Sequence, residues 1–253
     1  LPELLPWSET RLLIVAFNRY IDRLRVMISR QERFSADASH QLKTPLAVLK
    51  TQASVALASD DPRLWRESLQ AMRATLDDTI LLTERLLQLA TVKRREQGEQ
   101  AFAAVDLQEV VHHSCFSRIA QARSKNIDLG YEGEQSPVYV LGDGVLLGEL
   151  CANLLDNAIR YTPERGTVTL SLHRDGEAVT LSVEDSGPGI EENLIHQALT
   201  PFRRLENGGG LPGAGLGLAL VNDIARLHRS RPQLSRSESL GGLKVTLRLL
   251  TVA

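Results

Sequence analysis

The sequence predicts a helical hairpin that dimerises into a four-helix bundle, followed by an α/β two-layer sandwich. Two observations predict the hairpin: apolar residues recur at alternating steps of four and three along two long segments, and a turn signal separates the segments. A third observation predicts the sandwich, because helical patterns alternate with strand-like runs beyond a polar stretch around Gly98.

The first helix is predicted over Ser8 to Ala58, and Ser59-Asp60-Asp61-Pro62 ends it. Asp61 is a favourable cap for a second helix, with Pro62 as its first residue. The apolar positions of the first helix are Leu13, Phe17, Tyr20, Leu24, Met27, Phe34, Ala38, Leu42, Leu46, Leu49, Ala53 and Ala56, and those of the second are Trp65, Leu69, Met72, Leu76, Thr79, Thr83, Leu86 and Ala90. Two helices with one apolar stripe each bury it poorly, so the pattern predicts a homodimer.

The polar run from Lys93 to Gln100 predicts a linker between this hairpin and the α/β region. Beyond it we predict helices over Leu107–Arg123, Gly144–Tyr161 and Gly215–Leu227. We predict strands over Ile127–Tyr131, Val138–Leu141, Thr167–His173, Ala178–Val183 and Leu243–Leu249. This order predicts a mixed sheet with helices covering one face.

Composition excludes several classes of protein. The net charge is −2 and only 4% of the 253 residues are aromatic, which disfavours a nucleic-acid-binding protein. The two cysteines form no metal-binding spacing, so a zinc site is not expected. No segment reaches the roughly 18 consecutive apolar residues of a membrane-spanning helix. Because the chain begins at Leu1 rather than Met, we interpret it as a fragment.

His40 is the first candidate for chemistry. A helix turns about 100° per residue, so His40 points away from Leu42 and Leu49. Thr44 lies one turn further on the same face. Pro45 removes a backbone hydrogen bond from the helix, which is unusual in a purely structural segment but suits a helix that must bend. An idle surface histidine is the alternative interpretation.

Three polar or glycine-rich runs in the α/β region are the other candidates. Asn153 and Asn157 share one helix face, with Arg160 on its edge, and this set could hold Mg²⁺ and a triphosphate. Asp185 ends an apolar strand, and Gly187 and Gly189 follow it, so the carboxylate could accept a hydrogen bond from adenine. The alternatives are an ordinary amphipathic helix and a tight turn after an edge strand.

The third run contains Gly213, Gly215 and Gly217 at the start of a predicted helix. Free N–H groups and the positive end of the helix dipole there could face phosphate. The spacing is not that of a P-loop.

The run FSADASHQLKTPLAVLK resembles the phosphoacceptor box of HisKA-type histidine kinases. The resemblance implies that His40 accepts phosphate and that Thr44 positions water for phosphatase chemistry. This family usually has Glu or Asp after the histidine, where this chain has Gln41. An amide can orient the imidazole but cannot take up its proton, so base catalysis at Gln41 is in doubt.

The three runs, in this order, resemble the N, G1 and G2 boxes of the GHKL (Bergerat) ATP-binding fold of histidine kinases, gyrase B, Hsp90 and MutL. Pro201-Phe202-Arg203-Arg204 resembles the kinases' F box. The resemblance implies that ATP and Mg²⁺ are cofactors, that Asn153 and Asn157 bind the metal and that Arg160 contacts phosphate. Tyr161 would line the adenine site, Phe202 and Arg203 would join the nucleotide site, and residues 186–214 would form its lid. The ATPases place a catalytic Glu where this chain has Asn153, which favours phosphoryl transfer.

Leu1-Pro2-Glu3 and the run from Ala16 to Arg19 resemble the end of a HAMP signalling linker. These resemblances imply four segments: a HAMP-like helix over 1–33, a dimerisation and phosphotransfer domain over 34–96, a linker over 97–105 and an ATP-binding domain over 106–253. They imply a bacterial inner-membrane sensor histidine kinase of which this chain is the cytoplasmic part, attached to the membrane only through a preceding region. A response regulator would receive the phosphoryl group.

Two alternatives remain at this stage: an ATP-driven conformational module of the gyrase B or Hsp90 type, and a scaffold that binds ATP without transferring it. Phosphoryl transfer within one subunit and transfer across the dimer both fit the sequence.

Overall fold

A computed structural model describes residues 7–95, 102–134, 136–203 and 215–252. The chain divides into two compact units, Leu1–Thr79 and Ile80–Ala253, and the division falls inside a helix. The linker residue Gly98, the glycine Gly213 and the run Leu1-Pro2-Glu3 lie outside the described residues.

The first unit is built from two long helices. Helix α1 spans Trp7–Leu57 and helix α2 begins at Pro62 and runs to Arg95, beyond the first unit. The predicted break is confirmed: the Asp61 carboxylate accepts a hydrogen bond from the backbone N–H of Arg63 at 2.8 Å. The indole N–H of Trp65 donates to the carbonyl of Ser59 and so fastens the turn to the first turn of α2.

The hairpin leaves much apolar surface uncovered in the single chain. Gln52 on α1 donates to the Thr75 hydroxyl on α2 at 3.5 Å, so these side chains meet inside the hairpin. Several large apolar side chains of the predicted stripes face outward instead: Leu46, Trp65, Leu69 and Leu76 are 58%, 45%, 62% and 48% exposed. Exposed apolar surface of this extent on two neighbouring helices needs a further partner.

The second unit contains one five-stranded sheet and one small two-stranded sheet. The five strands stand in the order β2 (Asp128–Gly133), β4 (Thr167–Asp175), β5 (Ala178–Asp185), β7 (Leu243–Leu250) and β6 (Gln233–Arg236). β2 and β4 pair in parallel and the other neighbours pair antiparallel, so the sheet is mixed, as predicted. The small sheet pairs β1 (Ala103–Asp106) with β3 (Tyr139–Gly142).

Helices cover the large sheet. They are α3 (Leu107–Phe116), α4 (Ile119–Ser124), α5 (Gly144–Tyr161), α6 (Ile195–Ala198) and α7 (Gly217–Leu227). α5 packs between α3 and α7 and against β4 and β5. It begins where the Asp143 carboxylate accepts hydrogen bonds from Val145 and Leu146. The buried core of the unit is formed by its inner face together with the inward side chains of β4, β5 and β7. The predicted succession of a helical hairpin and an α/β two-layer sandwich is confirmed.

Three details differ from the sequence prediction. The single helix expected over Leu107–Arg123 is interrupted at Ser117 and Arg118, because the Arg118 backbone N–H bonds three residues back to Cys115 and its guanidinium turns to Asp156 at 3.2 Å. Strands β1 and β6 were not predicted. Helix α7 starts at Gly217 rather than at Gly215, whose φ of 67° is left-handed and therefore outside a helix.

The last part of α2 belongs to the second unit. Leu89 and Val92 are fully buried there, and the Gln88 amide donates to the Glu149 carboxylate on α5 at 2.8 Å. Arg95 pairs with Asp143, the cap of α5. The end of α2 is therefore seated on the α/β unit, and residues 93–95, which were expected to begin the linker, are helical instead. Among the helices that the structure describes, none combines the length and apolar character needed to cross a bilayer.

Candidate functional site

One cavity of the α/β unit gathers side chains from all three predicted runs. It lies between α5, the end of β5 and the start of α7. Of the predicted nucleotide-site residues, those that line it are Asn157, Arg160, Tyr161, Asp185, Gly189, Arg203, Gly215 and Gly217. Apolar side chains, among them Leu154, Ile190 and Leu216, form much of the remaining wall. A largely apolar cavity with a few converging polar groups is the usual form of a small-molecule site.

Asp185 is held in one orientation at the end of β5. It is only 5% exposed, and its Oδ1 accepts hydrogen bonds from the backbone N–H groups of Gly187 at 2.8 Å and Leu243 at 3.1 Å. Burial raises the pKa of this carboxyl, and the two N–H groups oppose that rise. Neither bond uses Oδ2, so the carboxylate keeps a second acceptor oxygen for a ligand.

Glycines make this arrangement possible. A Cβ at Gly187 would lie 2.9 Å from both Asp185 Oδ1 and the Tyr161 carbonyl oxygen, and a Cβ at Gly242 would lie 2.3 Å from Asp185 Oδ1. Gly189 has φ of 73°, a conformation that other residues rarely adopt. The predicted glycines therefore let the backbone close around the carboxylate. Gly242 does the same from the neighbouring strand connection and was not predicted.

The two predicted asparagine side chains of α5 have different surroundings. Asn157 lines the cavity, together with Arg160 and Tyr161 further along the helix. Asn153 does not: it is 5% exposed, and its amide N–H₂ donates to the Glu149 carbonyl at 2.8 Å. The two asparagines predicted to share metal binding thus differ in access, and a metal-binding role for either one stays a prediction.

The C-terminal end of α5 is fastened by Lys125. Its ammonium group donates to three backbone carbonyls, those of Ile159 at 2.9 Å, Arg160 at 2.9 Å and Thr162 at 3.0 Å. These carbonyls lie at the negative end of the helix dipole and lack partners within the helix. Lys125 therefore fixes the turn that carries Arg160 and Tyr161.

The start of α7 approaches Asn157 closely. A Cβ at Gly217 would lie 2.9 Å and 3.1 Å from the Asn157 Nδ2 and Oδ1 atoms, so only glycine fits there without a shift. At Gly215, φ is 67° and a Cβ would lie 2.6 Å from the Arg203 carbonyl oxygen. The backbone N–H of Phe202 donates to the Gly215 carbonyl at 3.0 Å. Phe202 itself is not among the residues that line the cavity.

Arg85 is an unexpected member of the cavity wall. It lies on α2, within the part of that helix that belongs to the α/β unit, and it is 7% exposed. Burial lowers the pKa of its guanidinium, and the neighbouring Arg160 lowers it further, while Asp156 and Tyr161 act in the opposite direction. The apolar spacing of α2 indicated a helix, but no motif distinguished Arg85 from the other arginines of that helix.

The first unit carries His40 on an exposed surface of α1. The Thr44 hydroxyl donates to the His40 carbonyl at 3.3 Å, and Pro45 lies inside the helix. Gln41 is half-buried. The predicted outward direction of His40 is confirmed, and its carbonyl is a hydrogen-bond acceptor for the side chain one turn later.

Sequence reasoning missed Arg85, Lys125 and Gly242. The pair Gly241-Gly242 before a predicted strand was a usable turn signal. Lys125 and Arg85 gave no comparable signal, because each acts on a segment distant in sequence.

Two family models match the chain. The His Kinase A (phospho-acceptor) domain matches residues 30–95, and the histidine kinase-, DNA gyrase B- and HSP90-like ATPase matches residues 142–252.

Sensor proteins of known families are similar in sequence to this chain. The sensor protein QseC of Salmonella typhi is 36% identical over 222 residues, 87% of this chain and 48% of QseC. The sensor protein kinase PmrB of Pseudomonas aeruginosa is 33% identical over 237 residues, 94% of this chain and 49% of PmrB. The chain thus spans about half the length of these relatives.

A solved structure, the mycobacterial sensor histidine kinase MprB, is 29% identical with a TM-score of 0.52, covering 59% of this chain and 97% of that one. Both family models describe parts of histidine kinases, and they match in the same order as the hairpin and the α/β sandwich. The α/β unit therefore has the GHKL-type ATP-binding fold, and the chain belongs to the bacterial two-component sensor histidine kinases.

Proposed function

We propose that this chain transfers the γ-phosphoryl group of ATP to His40 and then to an aspartate of a response regulator. One observation carries the proposal: a chain with a cavity formed by Asn157, Arg160 and Asp185 also presents an exposed histidine followed by Thr44 and Pro45 on a long helix. The cavity suits a nucleotide, and the exposed imidazole suits a phosphoryl acceptor.

Each part of a nucleotide has a partner in the cavity wall. The free oxygen of Asp185 can accept from the adenine amino group, and the Tyr161 ring can line the base. Arg160 and the N-terminal end of α7 supply positive charge for the phosphates. Gly217 keeps that end of α7 next to Asn157.

The residues present also fit Mg²⁺. The ion prefers oxygen ligands, keeps several waters and takes phosphate oxygens of the substrate. The Asn157 amide oxygen can serve as the protein ligand, with Asn153 as the second predicted one. Among the described residues, no group of three or more His, Cys, Asp or Glu side chains offers another metal site. Bound Mg²⁺ would screen the phosphate charge during transfer.

Transfer itself requires few protein groups. The unprotonated Nε2 of His40 attacks the γ-phosphorus, an N–P bond forms, and the bond from phosphorus to the bridging oxygen of ADP breaks. Catalysis is then mainly positioning and charge stabilisation. The Gln41 amide can accept a hydrogen bond from the ring N–H and orient the imidazole, but it cannot remove the ring proton. Thr44, released from the His40 carbonyl, could position water for the reverse, dephosphorylating step.

We further propose two protein partners. A second copy of the chain would cover the exposed apolar side chains of the hairpin, forming a four-helix bundle. A response regulator would dock near His40. The histidine kinase ThkA, of similar fold with a TM-score of 0.62 and 22% identity, has been solved in complex with the response regulator protein TrrA; that likeness concerns the fold alone. A preceding HAMP segment and membrane attachment through it belong to the same proposal.

Incubation of the purified chain with γ-³²P-ATP and Mg²⁺ tests the proposed function. We expect acid-labile, base-stable label on the wild type and none on His40→Ala, because phosphohistidine is the only product expected. His173→Ala is the matched control, since His173 is an exposed histidine of β4. It should be labelled like the wild type.

Two outcomes would contradict the proposal. Release of inorganic phosphate without labelled protein would indicate an ATP-driven conformational module. Binding of ATP with neither label nor released phosphate would indicate a scaffold.

A further inference from the structure

Arg85 is a buried cation that no carboxylate of the described residues pairs with. It is 7% exposed, and within the described parts of the chain no carboxylate lies at ion-pairing distance from it. The carboxylate that raises the pKa of Arg85 is Asp156, which is itself paired with Arg118 at 3.2 Å. A buried guanidinium normally has an anion beside it, because removing the charge from water is otherwise unfavourable.

A second guanidinium makes this arrangement less favourable still. Arg160 lines the same cavity and acts on Arg85 as a like charge. Like charges at one low-dielectric site repel each other strongly unless a negative charge lies between or beside them. Two arginines facing one cavity are the arrangement that recognises phosphate groups.

The position of Arg85 is fixed by its helix. Leu89 and Val92 lie one and two turns further along α2, and both are fully buried. Gln88 bonds to Glu149 on α5, and Arg95 pairs with Asp143 at the start of α5. Several contacts between α2 and α5 therefore fix the position of Arg85 at the cavity, whereas the side chain of an ordinary surface arginine is free to move.

We infer that Arg85 binds the polyphosphate of the nucleotide, so that helix α2 contributes directly to the ATP site. This inference rests on the proposed function, because it assigns a further ligand to the same cavity. It implies a linkage: phosphate binding stabilises the seating of the end of α2, and that seating strengthens phosphate binding by the same factor. A nucleotide without phosphates would not have this effect.

The test compares ATP with adenosine. Calorimetric binding to the purified 253-residue chain would be measured for the wild type, Arg85→Met, Arg85→Lys and Arg73→Met. Loss of a charge-assisted contact to phosphate should weaken ATP about ten-fold or more in Arg85→Met. Adenosine affinity should stay within about two-fold, because it has no phosphates. Arg85→Lys should recover part of the ATP affinity, and Arg73→Met, on an exposed position of α2, should match the wild type.

Thermal unfolding adds a readout that a purely structural arginine would not give. Without nucleotide, Arg85→Met should raise the melting temperature of the unit that ATP stabilises, since it removes an uncompensated buried charge. With saturating ATP, the stabilisation gained should be smaller than in the wild type. A structural role predicts a lower melting temperature without nucleotide.

Three results would overturn the inference alone: unchanged ATP affinity in Arg85→Met, equal losses for ATP and adenosine, or tighter ATP binding. The last would show that Arg85 competes with the nucleotide. A wild-type chain that binds neither ATP nor adenosine would overturn the proposed function as well.

Discussion

His40 and Asp185 are held in opposite ways. His40 stands on the exposed surface of one long helix that contains Pro45, and its backbone carbonyl accepts a hydrogen bond from the Thr44 hydroxyl. Asp185 is 5% exposed, bonded to two backbone N–H groups and enclosed by glycines that leave no room for a Cβ.

The difference suits the two roles proposed for these residues. A phosphoryl acceptor must meet a nucleotide and then a partner protein, so it needs access from solvent. A group that selects the base must keep one orientation before the ligand arrives, because ordering it during binding would reduce affinity. Substitutions at Asp185 and Lys125 test the rigid site, and a substitution at Gln41 tests the exposed one.

Asp185→Asn should give the largest effect. Its Oδ1 can still accept from Gly187 and Leu243, but its amide then offers a donor where the carboxylate offered an acceptor. That amide donor would face the N–H donor of the adenine amino group, and the lost hydrogen bond should weaken ATP binding about 50-fold. ITP, whose base carries an acceptor at that position, should lose less affinity than ATP. Calorimetric titration with both nucleotides measures this.

Asp175→Asn, at an exposed position at the end of β4, is the control for that substitution. Equal weakening of ATP and ITP by Asp185→Asn would show that the variant damages the cavity rather than base selection.

Lys125→Met should give an intermediate effect, on stability. It removes three hydrogen bonds at the end of α5 and a favourable charge at its dipole, which should lower the free energy of unfolding by about 1.5 kcal/mol. Scanning calorimetry would follow the transition that ATP shifts upward, since that transition reports the α/β unit. Arg123→Met, an exposed neighbour on α4, should leave it unchanged. A Lys125 variant as stable as the wild type would contradict the assigned capping role.

Gln41→Glu should give the smallest effect, an increase in the rate of autophosphorylation. A carboxylate can both orient the His40 ring and take up its proton, so the initial rate of autophosphorylation should rise at least about three-fold. Acid-labile label per minute measures it. Gln31→Glu makes the same charge change at an exposed position of α1 and serves as the control. A rate that stays the same or falls would mean that the amide already suffices.

The long helices and the central strands were predicted well from the sequence. Apolar spacing located the hairpin, whose first helix ends at Leu57 where Ala58 was expected, and helix α5 has the predicted bounds of Gly144–Tyr161. Binary patterns report burial over many residues, so they locate long helices and central strands. The three runs also contain most of the predicted nucleotide-site residues that line the cavity.

Short strands, and contacts between residues that are distant in sequence, were not predictable in the same way. Strand β1 has four residues and exists through pairing with β3, which follows more than thirty residues later. The interruption at Ser117 depends on the side-chain contact of Arg118 with Asp156 on another helix. Arg85 reaches the cavity only because the end of α2 packs beside α5. Such contacts are set by tertiary packing, which a local pattern does not contain.

The backbone bond between Phe202 and Gly215 has a consequence for how this family can diversify. It fixes the distance between Phe202 and Gly215, so the number of residues between them can vary without moving either one. The entropy of closing such a loop grows only with the logarithm of its length, and doubling it costs about 0.6 kcal/mol. Insertions and deletions between Phe202 and Gly215 are therefore thermodynamically cheap, and they need not change the core of the α/β unit.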